Sequence, residues 1–268
     1  MLLPADYHTH TSLCRHAFGR PVDYAKAAKE RGLSEIGISD HFPVPHLPES
    51  LPKKEYAMDL EELPIYARWV EEAREAFPSM AVRLAFEVDY YPQGMKDIAS
   101  LLGTFEPDYL YISVHVLEDW CIDDERMIDR YQDVDVQKLC DRYVEALIEA
   151  VSLEAFDVLG HLDLYKKFGH RAEISPTLLD ALLRRLKRSD MAVEINTAGL
   201  RKPCQEMYPS GSLLRSLQEA RIPICFGSDA HRPEEVGWRF EQAVQTAKEA
   251  GFAHWCRFEG RNRRLVAL

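Results

Sequence analysis

The sequence lacks the features of membrane-spanning proteins, of secreted proteins and of proteins that bind nucleic acids over a broad surface. No apolar run approaches the ~20 residues that a transmembrane helix needs. The start, MLLPADYHTH, has neither the basic nor the apolar region of a signal peptide, so we expect a cytoplasmic protein. The chain has 33 basic and 44 acidic residues, and its net charge of -11 argues against a broad basic surface that binds the phosphates of a nucleic acid. We therefore expect neither a nucleic acid nor a membrane as partner, and the oligomeric state stays open.

Cysteine is also scarce, with six residues in 268 and no C-x-x-C pair. In a chain of this length without a secretion signal, such scattered cysteines indicate reduced thiols rather than a disulfide framework. No G-x-S-x-G nucleophile motif is present. No glycine-rich phosphate loop follows the first predicted strand, which disfavours a flat doubly wound sheet.

What is present is an alternation of short β-branched, apolar runs with longer amphipathic stretches. The predicted strands are residues 6–8, 35–39, 82–88, 109–114, 158–160, 192–196 and 222–226. The predicted helices include residues 22–32, 66–77, 141–151, 176–189 and 211–221. This order is typical of a parallel sheet, and seven such units without a flexible linker favour one α/β barrel domain over residues 1–268. A proline-rich segment at about 42–64, with Pro52 near its centre, is predicted to be a loop over one barrel face.

Nine side chains of metal-ligand type fall mostly at the carboxyl ends of these strands. They are His8, His10, His16, His41, Glu87, His115, His161, Asp229 and His231. His8 and His10 form a dyad that faces one way, because side chains two apart on a strand share a face. Parallel barrels gather the carboxyl ends of their strands at one mouth, where their active sites lie. We therefore expect the nine side chains to converge there.

The ligand types predict transition metals. Seven imidazoles and two carboxylates suit zinc, iron or manganese better than calcium, with zinc as the first expectation. Nine ligands are too many for one ion and enough for two or three ions that share a bridging carboxylate. Glu87, central in the barrel order, is the predicted bridge. Cys14 lies between His10 and His16 and is interpreted as a packing residue.

The motifs that carry these ligands resemble those of the polymerase-and-histidinol-phosphatase (PHP) family of metal-dependent phosphoesterases. The matching motifs are His8-Thr9-His10, His16, Asp40-His41, Glu87, His115, His161 and Asp229-x-His231. The resemblance covers about residues 6–238 and implies a distorted TIM-like (βα)7 barrel of the PHP type with three divalent ions at its mouth. It assigns one ion to His8, His10, Glu87 and Asp229, a second to His16, His41 and His231, and a third to Glu87, His115 and His161.

Further stretches resemble the histidinol-phosphate phosphatase branch of this family. They include FEVDYYP, YISVHVLEDW, DVLGHLDLYKKFG, EINTAGLRKPCQEMYPS and FGSDAHRPEEVG. The chain departs from the branch at residues 120–123, where Trp-Cys-Ile-Asp replaces the frequent Trp-Gly-Phe-Asp in the pocket wall. The branch implies hydrolysis of L-histidinol phosphate to L-histidinol and phosphate, a step of histidine biosynthesis.

The expected mechanism is attack on the phosphate monoester by a water that the metal ions activate. Asp40, Asp229 and His231 are the candidate catalytic residues, and Asp40 or His231 is expected to move a proton towards the leaving alkoxide. Direct stabilisation of the alkoxide by metal is the alternative.

Substrate binding is predicted to involve basic residues after the strands. Arg201 follows the one strand without a ligand and is the predicted phosphate clamp, because a guanidinium matches phosphate oxygens. Lys166 is the second choice, with Lys167 and Arg232 as close rivals. The ammonium and imidazole of the substrate are assigned to acidic or aromatic residues, with these candidates: Asp89, Tyr90 and Glu206.

Three other functions fit part of the pattern. A PHP phosphoesterase acting on other small phosphomonoesters or nucleotides would share the whole metal set. An amidohydrolase would share the barrel and the His-x-His start, but it usually also relies on a modified lysine, and no lysine ends a predicted strand. A non-catalytic, metal-stabilised scaffold would be expected to lose ligands, and this chain has the full set.

Overall fold

The computed structural model describes residues 4–51 and 53–268, in which strands and helices alternate along the chain. Pro52, part of the predicted loop, lies outside the described residues. The strands are β1 (Glu35–Ile38), β2 (Ala81–Asp89), β3 (Tyr109–Ser113), β4 (Val116–Leu117), β5 (Trp120–Cys121), β6 (Val158–Leu159), β7 (Ala192–Asn196), β8 (Ile224–Gly227), β9 (His254–Glu259) and β10 (Asn262–Ala267). The α-helices are α1 (Pro21–Glu30), α2 (Leu63–Ala76), α3 (Met95–Leu102), α4 (Val136–Val151), α5 (Pro176–Ser189), α6 (Gly211–Glu219) and α7 (Phe240–Glu249).

The main sheet is parallel and closes on itself through the first segment of the chain. Its strand order is β1-β2-β3-β6-β7-β8. Residues 6–10 run between the two edge strands: the Tyr7 N–H donates to Phe226 O in β8 (3.0 Å), and the Gly37 N–H in β1 donates to Asp6 O (2.8 Å). The sheet therefore curls into a distorted barrel, and the predicted fold class is confirmed. The first segment makes isolated bridges rather than the regular strand predicted at residues 6–8.

Burial explains why these runs form strands and why helices cover them. Every residue of β1, β3, β7 and β8 is buried, as expected for parallel strands with both faces covered. On the outside, α4 begins at Asp135, whose carboxylate accepts hydrogen bonds from the first free backbone N–H groups of the helix. α4 then buries Leu139, Tyr143 and Leu147, whose spacing of four residues forms one apolar stripe.

The sequence patterns do not predict α3, α7 or the hairpin of β9 and β10. The hairpin covers the barrel end where the strands begin. Phe258 packs its ring against Tyr7 and Tyr109, with centroids 5.3 and 5.4 Å apart, and Arg257 Nε donates to Glu35 Oε2 (2.6 Å). The opposite barrel end, where the strands finish, stays open to the loops. Within the described ranges, no helix is long and apolar enough to cross a membrane.

Candidate metal centre

All nine predicted ligands come together at the carboxyl end of the sheet. The two dyad histidines lie on the segment that closes the barrel, Glu87 lies in β2, and the other strand-end ligands follow their strands: His41, His115, His161, Asp229 and His231. His16 follows the 3-10 helix Ser12–Cys14 and is the most exposed of the nine. Asp229 has a positive φ of 52°, a conformation that is uncommon outside glycine and concentrates at functional sites.

Glu87 lies between two groups of imidazoles. Its Oε2 is 3.2 Å from His8 Nε2, 3.5 Å from His10 Nε2 and 3.3 Å from His41 Nδ1. Its Oε1 is 3.0 Å from His161 Nε2 and 3.6 Å from His115 Nε2. Each oxygen thus faces a different set of ring nitrogens, which is the arrangement that a bridging carboxylate requires.

The unpaired atoms of this cluster test whether a metal ion fits. His8 Nε2, His10 Nε2 and His41 Nδ1 are buried and have no hydrogen-bond partner among the described residues. Each unpaired buried polar atom costs about 1–3 kcal/mol, so the cluster is unfavourable without a cation. Donor atoms of His8, His10 and Asp229 lie within 4.8 Å of one another, as do those of His10, His41 and His231. Imidazole nitrogens and carboxylate oxygens at this spacing fit divalent transition-metal ions.

The electrostatics of the cluster divide its imidazoles: burial lowers the pKa of His41 and of His231, while, against the effect of burial, neighbouring carboxylates raise the pKa of His8 above its usual value. Burial alone would raise the pKa of Glu87, but the imidazoles of His8 and His41 help to hold it well below its usual value. Burial disfavours the cationic form of His10, yet the Asp229 carboxylate, whose Oδ1 lies 3.3 Å from Nε2, helps to raise its pKa to about 9. The carboxylates are therefore ionised, and protons and metal cations compete for the same ring nitrogens.

Glu194 and Asp89, two buried carboxylates outside the nine, form short contacts with imidazoles of the predicted ligands on the side away from Glu87. Glu194 Oε1 lies 2.7 Å from His8 Nδ1, and Asp89 Oδ1 lies 2.6 Å from His115 Nδ1. A carboxylate at Nδ1 favours the tautomer with its proton there and leaves Nε2 free to bind a metal. In both histidines, Nε2 is the atom that faces Glu87.

Glu194 is a site residue that the sequence patterns do not predict. It lies on β7, whose end carries no histidine, and its Oε2 accepts hydrogen bonds from the His161 backbone N–H and from Asn196 Nδ2, both at 3.0 Å. A Cβ at Gly227 would lie 1.9 Å from Glu194 Oε1 and 2.6 Å from the Cβ of His8, so this position needs glycine. The sequence did contain one indication of this role: Glu194 and Asn196 are two residues apart on a strand, so their side chains share one face.

A cavity of about 870 Å³ opens onto the predicted ligands, and both Arg201 and Lys167 line it. Arg201 Nη2 donates to the backbone oxygens of Ser228 (2.9 Å) and Asp229 (3.2 Å). Its Nη1 is buried and has no partner among the described residues. Lys167 Nζ donates to the backbone oxygen (2.5 Å) and to Oδ2 (3.0 Å) of Asp123. The cavity therefore places two cationic groups near the metal residues.

Side chains of both signs line the rest of the cavity. Arg232, a rival candidate for phosphate binding, is among them and lies over the ring of Phe18 at 4.3 Å. The acidic lining residues include Glu55, Asp123, Asp124, Glu125 and Glu235. A ligand with both an anionic and a cationic group fits such a lining.

Lys166, the second choice for phosphate binding, does not line the cavity. Its ammonium is buried and donates to Asp163 Oδ2 (2.7 Å), Glu206 Oε2 (3.0 Å) and Met207 O (2.8 Å). An ammonium has three protons, and these contacts use all of them. Lys166 therefore forms an internal ion pair and is not available at the cavity, whereas its neighbour Lys167 lines the cavity.

Asp40 lies behind His10 and outside the cavity lining. Its Oδ1 is 3.4 Å from His10 Nδ1, and its Oδ2 accepts a hydrogen bond from the Thr11 hydroxyl (2.5 Å). His231, the other candidate for proton transfer, lines the cavity and is partly exposed there. The structure thus gives Asp40 the position of a residue that orients His10.

The three candidates for binding the rest of the substrate also lie outside the lining. Asp89 is fully buried against His115. The Tyr90 hydroxyl donates to Glu149 (2.6 Å), and Glu206 pairs with the internal lysine described above. Apart from the predicted ligands, the acidic residues at the cavity are instead those of residues 123–125, Glu55 of the proline-rich segment and Glu235.

Comparisons with known proteins identify a family and a shared fold. The PHP domain family model matches residues 6–198. A probable histidinol-phosphatase of Deinococcus radiodurans is 39% identical over 92% of this chain and 93% of that protein. The histidinol-phosphatase of Bacillus subtilis is 27% identical over 90% of this chain and 98% of its own length. The fold is shared with a histidinol phosphate phosphatase of Lactococcus lactis solved with zinc, L-histidinol and phosphate, at a TM-score of 0.84 and 22% identity over 98% of this chain and 100% of that one.

Proposed function

The chain belongs to the PHP domain family, and from this premise we propose that it hydrolyses L-histidinol phosphate to L-histidinol and phosphate in histidine biosynthesis. One observation carries the proposal: Glu87 lies between two groups of imidazoles beside a cavity that also holds Arg201. The names of the two bacterial relatives support the substrate, as does the ligand set of the Lactococcus lactis structure. A cytoplasmic location stays a prediction from the sequence.

The proposed cofactors are three divalent transition-metal ions, with zinc as the first candidate and iron or manganese as alternatives. His8, His10 and Asp229 would hold one ion, His16, His41 and His231 another, and His115 and His161 the third. Glu87 would bridge the first and the third of these groups. When bound, such ions lower the pKa of a bound water and neutralise phosphoryl oxygens.

Arg201 and Lys167 are proposed to bind the phosphoryl oxygens that the ions do not hold. The contacts of Arg201 with the Ser228 and Asp229 carbonyls fix the plane of its guanidinium and leave Nη1 for the ligand. A group that is held in place before substrate arrives contributes more to catalysis, because little freedom is lost on binding.

As a proposed ligand, His231 has no transferable proton at the nitrogen that would bind an ion, so direct stabilisation of the leaving alkoxide by metal is the first alternative. If it does not bind an ion, His231 is the better placed of the two candidates for proton transfer. It lines the cavity, whereas Asp40 lies behind His10 and has no direct route to a ligand there. Asp229 supports this role, because its backbone oxygen lies 3.1 Å and its Oδ1 3.4 Å from His231 Nδ1. Asp40 and Asp229 thus act through neighbouring histidines.

The acidic lining favours a substrate that carries an ammonium as well as a phosphate. Glu125 supplies a carboxylate at the cavity wall, next to Glu55 and Asp124, which both pair with Arg126. L-histidinol phosphate has such an ammonium. A hydrogen bond to a charged group contributes about 1.5–3 kcal/mol, which corresponds to roughly 10–100-fold in kcat/KM.

A substrate panel tests this proposal. The purified, metal-loaded protein is assayed for phosphate release from L-histidinol phosphate, a nucleoside monophosphate and a 5′-phosphorylated oligonucleotide under one set of conditions. We expect kcat/KM for L-histidinol phosphate to exceed the others by at least about 10–100-fold. Equal turnover of the nucleoside monophosphate would instead identify a broader phosphoesterase.

A further inference from the structure

Tyr56 belongs to the irregular segment between β1 and α2, yet its side chain lies among the ligand histidines. Its ring centroid is 4.9 Å from that of His41, 6.0 Å from that of His115 and 6.2 Å from that of His16. Its hydroxyl donates to Asp89 Oδ1 at 2.8 Å. A residue far from the barrel strands in sequence thus contacts the carboxylate that holds a ligand histidine.

Asp89 Oδ1 accepts both available donors, the Tyr56 hydroxyl and His115 Nδ1. Asp89 Oδ2 is buried, has no hydrogen-bond partner within the described residues, and lies 3.9 Å from His41 Nδ1. Because the two donors share one oxygen, the tyrosine hydroxyl fixes the rotation of the carboxylate that orients His115. Without that hydroxyl, the carboxylate can turn and weaken its contact with Nδ1.

Around Tyr56 the segment packs on the barrel through a small apolar cluster that is separate from the main core, while Phe42 and Met58 near its two ends belong to the main core. From the segment this cluster contains Val44, Leu47, Leu51 and Ala57, and from the hairpin that follows His115 it contains Val116 and Cys121. These buried side chains are few and contribute little burial energy, so the polar contacts of this part of the segment matter for its position. They include the Tyr56 hydroxyl with Asp89 Oδ1, His46 Nε2 with the Asp89 backbone oxygen (3.0 Å) and the ion pair of Glu55 with Arg126.

We propose that Tyr56 is a positioning residue that couples this segment to the His115 end of the metal site. This inference rests on the proposed metal centre and adds a residue and a dependence to it. The hydroxyl of Tyr56 orders Asp89, Asp89 orders His115, and an ion held by His115 in turn stabilises the packed position of the segment. Coupling of this kind is reciprocal, so each event strengthens the other by the same factor.

The first test compares Tyr56→Phe with Tyr90→Phe. Both changes remove only a hydroxyl that donates to a carboxylate in a partly buried contact, but the Tyr90 partner is Glu149, outside the cavity lining. Metal-loaded proteins are dialysed against increasing chelator, and the retained ions are counted by elemental analysis. We expect Tyr56→Phe to lose one ion at a chelator concentration about ten-fold lower than the wild type does. Groups that orient metal-bound histidines contribute about 10–100-fold to metal affinity. Tyr90→Phe should match the wild type.

The second test measures the reciprocal effect by limited trypsin cleavage after Lys53, with cleavage after Arg261 in the turn between β9 and β10 as an internal control. Stripping metal from the wild type should speed cleavage after Lys53 by about the same ten-fold and leave the Arg261 site unchanged. In Tyr56→Phe the metal should protect Lys53 much less.

Two results would overturn the inference while leaving the metal centre intact. One is a Tyr56→Phe protein that retains its ions as Tyr90→Phe does. The other is wild-type cleavage after Lys53 that is unchanged by metal. A wild-type protein that binds no divalent ion at all would overturn the proposed function together with this inference.

Discussion

Replacing Glu194 with glutamine tests whether a carboxylate that contacts the Nδ1 atom of a predicted ligand histidine controls metal binding. All the groups that contact this carboxylate are hydrogen-bond donors: His8 Nδ1 and the Tyr111 hydroxyl at Oε1, and the His161 backbone N–H and Asn196 Nδ2 at Oε2. A carboxylate accepts from every one of them, whereas a glutamine amide offers one oxygen and turns an NH2 group towards the other pair.

Either orientation of that amide has a defined cost. With its NH2 group towards His8, the imidazole must shift its proton to Nε2, and a protonated Nε2 cannot bind a metal. With its NH2 group towards His161 and Asn196, two buried donors lose their acceptor. Unsatisfied buried donors cost about 1–3 kcal/mol each, so we expect a loss of roughly 2–6 kcal/mol of folding stability in the second case.

The assay is metal retention against chelator, followed by urea unfolding of the metal-free protein. We expect Glu194→Gln to weaken metal binding by about 10–100-fold, the range for groups that orient metal-bound histidines. Glu145→Gln on the exposed face of α4 makes the same change of charge and should leave both measurements unchanged. A Glu194→Gln protein that binds metal as tightly as Glu145→Gln would refute the assigned role of Glu194.

Three further substitutions follow from the same geometry. Glu87→Ala should remove bound metal and nearly all turnover from a folded barrel, as elemental analysis and circular dichroism would show; full activity would exclude the bridging role. Arg201→Ala should raise KM for the phosphate ester by about 10–100-fold with metal content unchanged, and unaltered kinetics would clear Arg201 of phosphate binding. Gly227→Ala should destabilise the protein by at least about 1–3 kcal/mol in urea unfolding and release metal, because its Cβ would meet Glu194 and His8. Gly211→Ala, whose Cβ would have only an ordinary contact, should change neither the unfolding free energy nor the metal content.

The convergence of the nine side chains could be predicted from the sequence because barrel topology brings strand ends together. His41 and Glu87 are 46 positions apart, yet the parallel register of their strands places them side by side in an isolated bridge. Residues that follow a short irregular turn are harder to place. Lys166 and Lys167 are adjacent at the end of a 3-10 helix, and one points into an internal ion pair while the other reaches the cavity.

Other features needed packing information that a single sequence does not carry. Glu194 looks like an ordinary acidic residue in a short strand, and only the approach of His8 and of the His161 backbone shows its role. The closing segment at residues 6–10 makes too few ladder bonds to form a regular strand, although its pattern predicts one. The hairpin of β9 and β10 is half exposed, so its apolar residues form no strong alternating run.

Phosphate release from L-histidinol phosphate, measured before and after metal removal, tests the central claim most directly. The purified protein is assayed as isolated, after exhaustive chelation verified by elemental analysis, and after addition of zinc, manganese or iron separately. We predict that release is lost on chelation and restored by at least one of these ions. A verified metal-free protein that still releases phosphate at the full rate, or a fully loaded protein that releases none, would contradict the claim.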